Sequence, residues 1–506
     1  MNDKINSYRR ILKTSSIIGG SSVINILIGL VRTKILAILL GPSGIGLISL
    51  YTGLMSTATS IACMGINTVG TRQIAEAHSK EDNHAIAVAR RAIFWGTLFL
   101  ASTAAIIVWG LRDLLAVRVL GSIDHAFVIG WLALGVALSV ASASQGALIQ
   151  GMRQIGDIAR ISIYGSIINT ILGIGLLWQW GDDAIWAFIL IGPLFNFLFG
   201  HLYISRLPKL QPDKITIQEL TKQWKILLQL GLPFMGAILI NTLVQLWIRV
   251  SVSDQLGLDA VGYFQAAWAI SMQYIGFVLG AMGADYYPRL TSIIKDKKAA
   301  CQLVNEQTEI ALLLSAPVFI AMIGLTPWAV HLLYSPDFIP TIEILRWQIL
   351  GDILKVASWP LGFIIVSAGA GKTYFWAETS VILLMSGLIY LFINRLGLVI
   401  TGIAFLVSYV YYLPLVYILA WKRIQFKWSA NNIKLLFTTL FICISILLLS
   451  RYSTLAGEIT ATTMSGLFGI YTLIRLSKMS NMNNSMNRLG NLGKRLIANI
   501  VKINEQ

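Results

Sequence analysis

The chain has 506 residues, 56% of them hydrophobic and only 12% charged, with a mean hydropathy of +0.72. That is about half the charged content of a soluble globular protein, which excludes a string of soluble domains. The formal charge of +16 does not imply nucleic acid, because the basic residues fall between apolar runs rather than on a polar domain. The cysteines Cys63, Cys301 and Cys443 fit neither a disulfide framework nor a metal site in their spacing.

The N-terminus is short and basic through Lys13, and an apolar run begins at Thr14. The run continues through Arg32 and Lys34 to Leu40 with no small-residue cleavage site, so it predicts an uncleaved first helix rather than a signal peptide. A hydrocarbon core of about 30 Å takes roughly 20 helical residues to cross. Runs of that length recur along the chain and predict about 14 spans. They cover residues 14–40, 44–70, 90–111, 124–149, 160–180, 184–204, 226–253, 260–287, 305–327, 341–366, 374–394, 399–421, 433–450 and 459–476.

The connecting segments alternate in charge. Residues 71–91 hold Arg72, Lys80, Arg90 and Arg91; residues 205–225 hold Arg206, Lys209, Lys214, Lys222 and Lys225; residues 288–304 hold Arg289, Lys295, Lys297 and Lys298. The segments between them, such as Gly41–Ser43, Gly181–Asp183 and Asp254–Asp259, lack cations. The positive-inside rule places the basic side and both termini in the cytoplasm. The outward loops are short, which leaves no external domain for catalysis. Residues 481–506 carry Leu489, Leu492, Leu496 and Ile500 among Arg488, Lys494 and Arg495, a pattern that suits an amphipathic helix on the cytoplasmic leaflet and suits a disordered tail equally.

Shifting the chain by 216 residues superposes Gly41 on Gly257 and Gly46 on Gly262. Each pair follows a helix with an arginine near its outer end, Arg32 or Arg249, and the copies open spans separated by an even number of helices. The repeat is therefore parallel, as in transporters built from two similar bundles. The expected fold is an all-α polytopic membrane protein. It has an N-lobe over residues 1–210 (helices 1–6), a C-lobe over 211–423 (helices 7–12), two additional helices over 424–480, and a tail over 481–506.

Charge inside a span is costly and usually faces a cavity or a partner. Arg32 and Lys34 in span 1, Arg249 in span 7, and Arg346 and Lys355 in span 10 are the candidates for a cationic, substrate-binding cavity. A diphosphate suits such a set, since guanidinium pairs its oxygens bidentately and lysine supplies a point charge. Residues 32 and 34 differ by about 200° around the helix, so both cannot point straight inward. Bland readings stand beside these. Arg249 can snorkel to the interface, and Glu343–Arg346 and Asp352–Lys355 are i,i+3 pairs able to neutralise each other. Asp352, Asp285, Glu309 and Glu378 are the coupling or gating candidates. No cofactor is expected; a proton or sodium ion is the natural coupling species, and nothing in the sequence selects between them. The stretch Val366–Thr373 imitates a phosphate-binding loop but lacks its first glycine and a preceding strand, so it predicts a tight inter-helix turn. The five histidines show no metal-ligand spacing.

Leu36-Ala37 through Gly41-Pro42-Ser43-Gly44-Ile45-Gly46-Leu47 resembles the first inter-helix turn of Wzx-type flippases. Trp347-Gln348-Ile349-Leu350-Gly351-Asp352-Ile353-Leu354-Lys355-Val356 is similar to a tenth-helix motif of O-antigen and enterobacterial-common-antigen translocases. Tyr286-Tyr287-Pro288-Arg289-Leu290 and Ala377-Glu378 match as well. The resemblance spans about residues 14–423. It implies the multidrug/oligosaccharidyl-lipid/polysaccharide (MOP) exporter fold. It also implies a non-enzymatic flippase that carries an undecaprenyl-diphosphate-linked oligosaccharide to the periplasmic leaflet, with membrane lipids and the polymerase and chain-length regulator of the same pathway as partners, and no nucleic acid. Lys34, Arg249, Asp352 and Lys355 fall on positions of the family pattern. Arg32 falls where lipid II flippases carry an arginine, and Arg346 departs from the pattern. Three other readings remain open at this point: a MOP exporter of another substrate, a drug (disfavoured by the cationic excess) or another lipid; a membrane polysaccharide polymerase, disfavoured by the short outward loops; and a structural membrane scaffold, which would not need arginine inside a span.

Overall fold

The computed structural model describes residues 2–207 and 215–479, and every regular element among them is helical. The expected features of the tail, 481–506, lie outside the described residues. In chain order the helices are α1 (Asn2–Cys63), α2 (Ile66–Ser79), α3 (Asn83–Gly110), α4 (Arg112–Leu120), α5 (Ala126–Gly151), α6 (Ile155–Trp180), α7 (Ile185–Ser205), α8 (Ile217–Leu256), α9 (Leu258–Ile293), α10 (Lys297–Leu333), α11 (Thr341–Ser367), α12 (Gly371–Leu396), α13 (Ile400–Ile424), α14 (Ala430–Tyr452) and α15 (Thr454–Met479).

Helix α1 contains the first two expected spans, parted at Gly41 (φ 62°, ψ −166°). With α2 and α4 too short to cross, the described helices supply the fourteen crossings. Three long apolar stretches, Gly19–Cys63, Ile155–Ser205 and Gly371–Ile424, are 45, 51 and 54 residues long. Each exceeds twice the length that one crossing needs, and each is broken by a glycine of positive φ: Gly41, Gly181 or Gly397. The second span ends earlier than its hydropathy suggests. Met64 and Gly65 both take positive φ (42° and 76°) and break the helix. Beyond them α2 carries Asn67, Arg72, Gln73, Glu76 and His78, with Arg72 Nε 2.7 Å from Glu76 Oε1 on an exposed face. So polar a segment gains by leaving the hydrocarbon.

The fold divides into two compact units. The first runs through Gly262 and includes Leu333–Asp337; the second takes Tyr263–Leu332 and the chain from Phe338 onward. In the first, α5 packs on α3 and α7, and α1 packs on α6 and α8. Its core includes Ile66, Ile74, Ala89, Ile93, Leu148 and Leu227. In the second, α13 packs on α11 and α12, around Tyr286, Leu303, Ile364, Val381, Val416 and Phe426.

The 216-residue repeat extends much further than its glycines. Helices α5, α6 and α7 match α11, α12 and α13 in order and nearly to the residue. Between α5 and α6, Arg153 has φ 59°; its counterpart between α11 and α12 is Gly369, at φ 72°. Both turns carry the same bonds. Arg153 N reaches Gln150 O at 2.9 Å and Gln154 N reaches Ile149 O at 3.0 Å; Gly369 N reaches Val366 O at 2.9 Å and Ala370 N reaches Ile365 O at 3.1 Å. Here a Schellman-type helix stop is built once with glycine and once with arginine. The apparent phosphate loop at Val366–Thr373 is this turn. Gly181 and Gly397 likewise cap α6 and α12, each opening a short 3₁₀ turn before the next helix. Inside the first unit the two first-found copies meet. A Cβ on Gly46 would fall on the carbonyl oxygen of Leu258, and a Cβ on Gly262 would fall on that of Pro42. The contact is reciprocal under the same shift.

The start of α8 is pinned by a capping box: Thr216 N donates to Glu219 Oε2 at 2.8 Å, and Glu219 N to Thr216 Oγ1 at 3.4 Å. His84, at the start of α3, lies 3.1 Å from Glu219 Oε1. The Thr216 backbone donor, followed by His84, pulls the Glu219 carboxyl down to about 2. A depressed carboxyl stabilises the fold above its unfolded pKa and loses that contribution as pH falls through the folded one. Wild type is therefore expected to melt above Glu219→Gln at neutral pH. The gap in midpoint should close as pH is lowered from about 4.5 to about 2; a gap unchanged over that window would overturn the assignment.

Candidate functional site

The candidate residues of the first unit come from α1 and α8. Arg32 reaches across to α6. With the Asn169 amide turned so that its nitrogen donates to Phe188 O (3.2 Å), its oxygen accepts from Arg32 Nη1 at 2.9 Å. Lys34, two residues on, hydrogen-bonds the backbone carbonyl of Tyr334. The two cations thus take different sides of α1, as their helical spacing requires. On α8, Arg249 Nη1 donates to Gln245 O of the preceding turn at 3.1 Å. Its guanidinium lies beside Gly53 in the second half of α1. All three side chains are partly buried.

In the second unit the motif read from the sequence occupies α11, most of which is buried. Asp352 is fully buried. Its Oδ2 accepts from Ser271 Oγ at 2.7 Å and from Tyr274 OH at 2.5 Å, both on α9. Its Oδ1, and both amide atoms of the fully buried Gln348 one turn earlier, have no hydrogen-bond partner among the described residues. Burying polar atoms in this way is costly, which marks the spot as more than packing. Lys355 sits three residues past Asp352. Its Nζ is 3.3 Å from Met272 Sδ and 5.7 Å from the ring centres of both Phe405 and Tyr409 on α13. Rings of this kind hold an ammonium by their quadrupole. On α12, Glu378 accepts a hydrogen bond from Tyr412 OH and is also bonded by Tyr374. Helices α9, α11, α12 and α13 thus gather Asp352, Lys355 and Glu378 into one group.

The remaining candidates lie apart from this group. Arg346 is 7% exposed and sits by Glu343, Arg451 and Glu458. Glu343 accepts from Arg451 Nη2 at 2.7 Å and from Trp347 Nε1 at 3.2 Å. Glu309 on α10 accepts from Arg475 Nε at 3.0 Å and from Asn431 Nδ2 at 2.5 Å. The side chain of Asp285 lies outside the described residues. Among the described residues no cluster of three or more His, Cys, Asp or Glu side chains could hold a metal.

Sequence reasoning missed the supports. Phe405, Tyr409 and Tyr412 stand at i, i+4 and i+7, one aromatic face of α13, while Ser271 and Tyr274 share a face of α9. The first pattern is visible in the sequence, but an aromatic stripe alone says nothing about a lysine 50 residues away.

Comparison with known proteins follows the same lines. A family model described as "Polysaccharide biosynthesis protein" matches residues 35–343. The lipid III flippase of Escherichia coli (strain K12) is 24% identical over 432 residues, which covers 81% of this chain and 99% of the relative, and that of Shigella flexneri matches equally. Among solved structures, the inward-facing conformation of a multidrug resistance MATE family transporter of the MOP superfamily superposes with a TM-score of 0.67 at 17% identity, over 79% of this chain and 94% of that one. The lipid II flippase MurJ in an inward closed conformation superposes with a TM-score of 0.65 at 16% identity, over 92% and 99% of the two chains. With its family model spanning more than half of the sequence, this multi-pass membrane chain belongs to the polysaccharide biosynthesis protein family, and its fold is that of the MOP-superfamily transporters.

Proposed function

We propose that the protein is a flippase that carries polyprenyl-diphosphate-linked oligosaccharides, such as undecaprenyl-diphosphate O-antigen repeat units, from the cytoplasmic to the periplasmic leaflet of the inner membrane. The observation that carries this reading is the kind of support its cations receive. Arg32 is held by a neutral amide, and Lys355 by a thioether and two rings beside the Asp352 and Glu378 carboxyls. A neutral support orients the Arg32 charge without cancelling it, so that charge remains available to a diphosphate. The likeness to lipid III flippases along 99% of their length points the same way. In this mechanism the head group enters from the cytoplasm, the polyprenyl tail stays in lipid, and rocking of the two halves exposes the head outward. Without such a route the charged head would face the prohibitive cost of bare hydrocarbon.

Asp352 is the group proposed to couple transport to a proton or sodium ion. It is buried, with one oxygen held by hydroxyls and the other without a partner among the described residues. Transport by Asp352→Asn is expected to stop responding to an imposed proton or sodium gradient; a wild-type response would remove Asp352 from coupling. The function itself is tested with purified protein in vesicles carrying a labelled polyprenyl-diphosphate oligosaccharide in both leaflets. An impermeant reagent should modify only the outer-leaflet pool without protein and nearly all of the label with it. Protection of the inner pool despite folded protein in the vesicles would sink the proposal.

A further inference from the structure

Helices α14 and α15 lie outside the repeat, and the sequence gives them no task. Their contacts with α10 supply one. Helix α10 contains two internal prolines, Pro317 and Pro327. Proline has no N–H to give to the carbonyl four residues earlier, so Leu313 and Ile323 each carry a carbonyl oxygen without its usual helical donor. The two are served differently. Ile323 O lies 3.3 Å from Thr326 Oγ1 of its own helix, a hydroxyl that is nearer still to Met322 O. Leu313 O accepts from Thr472 Oγ1 of α15 at 3.0 Å, in a buried contact. Seven residues back along α15, Ser465 Oγ donates to the carbonyl of Pro317 itself at 2.8 Å.

The same face of α15 continues the contact in both directions. Arg475, one turn past Thr472, pairs with Glu309, one turn before Leu313, at 3.0 Å. At the other end a Cβ on Gly324 would meet the carbonyl oxygen of Gly457 at 2.9 Å. Helix α15 therefore runs tightly along α10 from Glu309 to Gly324, with its hydroxyls placed at Pro317 and at the carbonyl one turn before it.

We propose that α15 is a splint for α10, supplying from outside the hydrogen bond that Pro317 removes and so fixing the course of that helix at the proline. The hairpin α14–α15 and both halves of α10 then move as one body. Parting α15 from α10 here would strand the Thr472 hydroxyl and the Leu313 carbonyl together.

The test uses the full-length protein in lipid nanodiscs, with spin labels at the exposed positions Glu306 and Trp328 on either side of Pro317. Thr472→Val keeps the shape and removes the donor. It is expected to shift or broaden the interlabel distance and to lower the thermal midpoint by about 2 °C, whereas Thr472→Ser, which keeps a hydroxyl, is expected to stay near wild type. In a Pro317→Ala background residue 317 regains its N–H, Leu313 O is bonded within α10, and Thr472→Val should lose most of its effect. An equal loss in both backgrounds, or a Thr472→Ser protein as impaired as Thr472→Val, would overturn the splint and leave Thr472 a packing residue. Should Pro317→Ala fail to fold, the serine and valine pair still decides.

Discussion

Lys355→Ala is expected to lower the rate of lipid-linked oligosaccharide export ten- to a hundredfold. The estimate follows from what the ammonium gives. A hydrogen bond to a charged group contributes about 1.5–3 kcal/mol, and each 1.4 kcal/mol is about a factor of ten. Lys355 is held by Met272 and by the Phe405 and Tyr409 rings, with the Asp352 and Glu378 carboxyls in the same group, so its removal takes the positive charge from the site. Lys355→Arg should recover part of the activity, because the longer guanidinium keeps the charge but cannot sit between the same rings in the same way. Export is read as surface polysaccharide in a strain lacking its own flippase, at matched protein levels. Full activity of Lys355→Ala would remove the lysine from substrate handling.

The second large effect is expected at the reciprocal glycine contact. Gly262→Ala places a methyl group against the backbone of Pro42, its carbonyl carbon at 2.7 Å and its Cα at 3.0 Å. Backbone cannot swing aside as a side chain can, and overpacking of this kind costs about 1–3 kcal/mol. Gly46→Ala meets the backbone of Leu258 and Gly262 in turn, so it should behave alike. The two losses should not add, because they open the same contact. Unfolding of the detergent-solubilised proteins measures this; a Gly262→Ala protein that melts with wild type would show that the helices separate at no cost.

The membrane class, the fourteen crossings and the repeat were all legible, because each is written in long-range pattern: apolar length, alternation of Lys and Arg, and a constant shift. What stayed hidden was local and tertiary. The turn at Arg153 duplicates that at Gly369, yet arginine and glycine share no sequence signal, since the left-handed backbone there is imposed by the flanking helices rather than by the residue. Asp352 and Lys355 read equally as a self-neutralising i,i+3 pair or as a cavity set. The side chains that hold them, Ser271, Tyr274 and Met272, lie about 80 residues away in sequence, and no spacing rule reaches that far. Glu309 and Arg346 drew notice as charges inside spans. Their neighbours, Arg475 on one side and Glu343, Arg451 and Glu458 on the other, include residues on helices whose role the sequence left blank.

The meeting of residues 42–46 with 258–262 carries a consequence for how such a chain can arise. Each segment offers the other what it receives, glycine for carbonyl and carbonyl for glycine. A surface that fits its own duplicate is what two identical subunits need to close into a symmetric pair. A gene encoding only one copy would already have possessed its dimer seam, and fusion of two such genes would have inherited that seam ready-made.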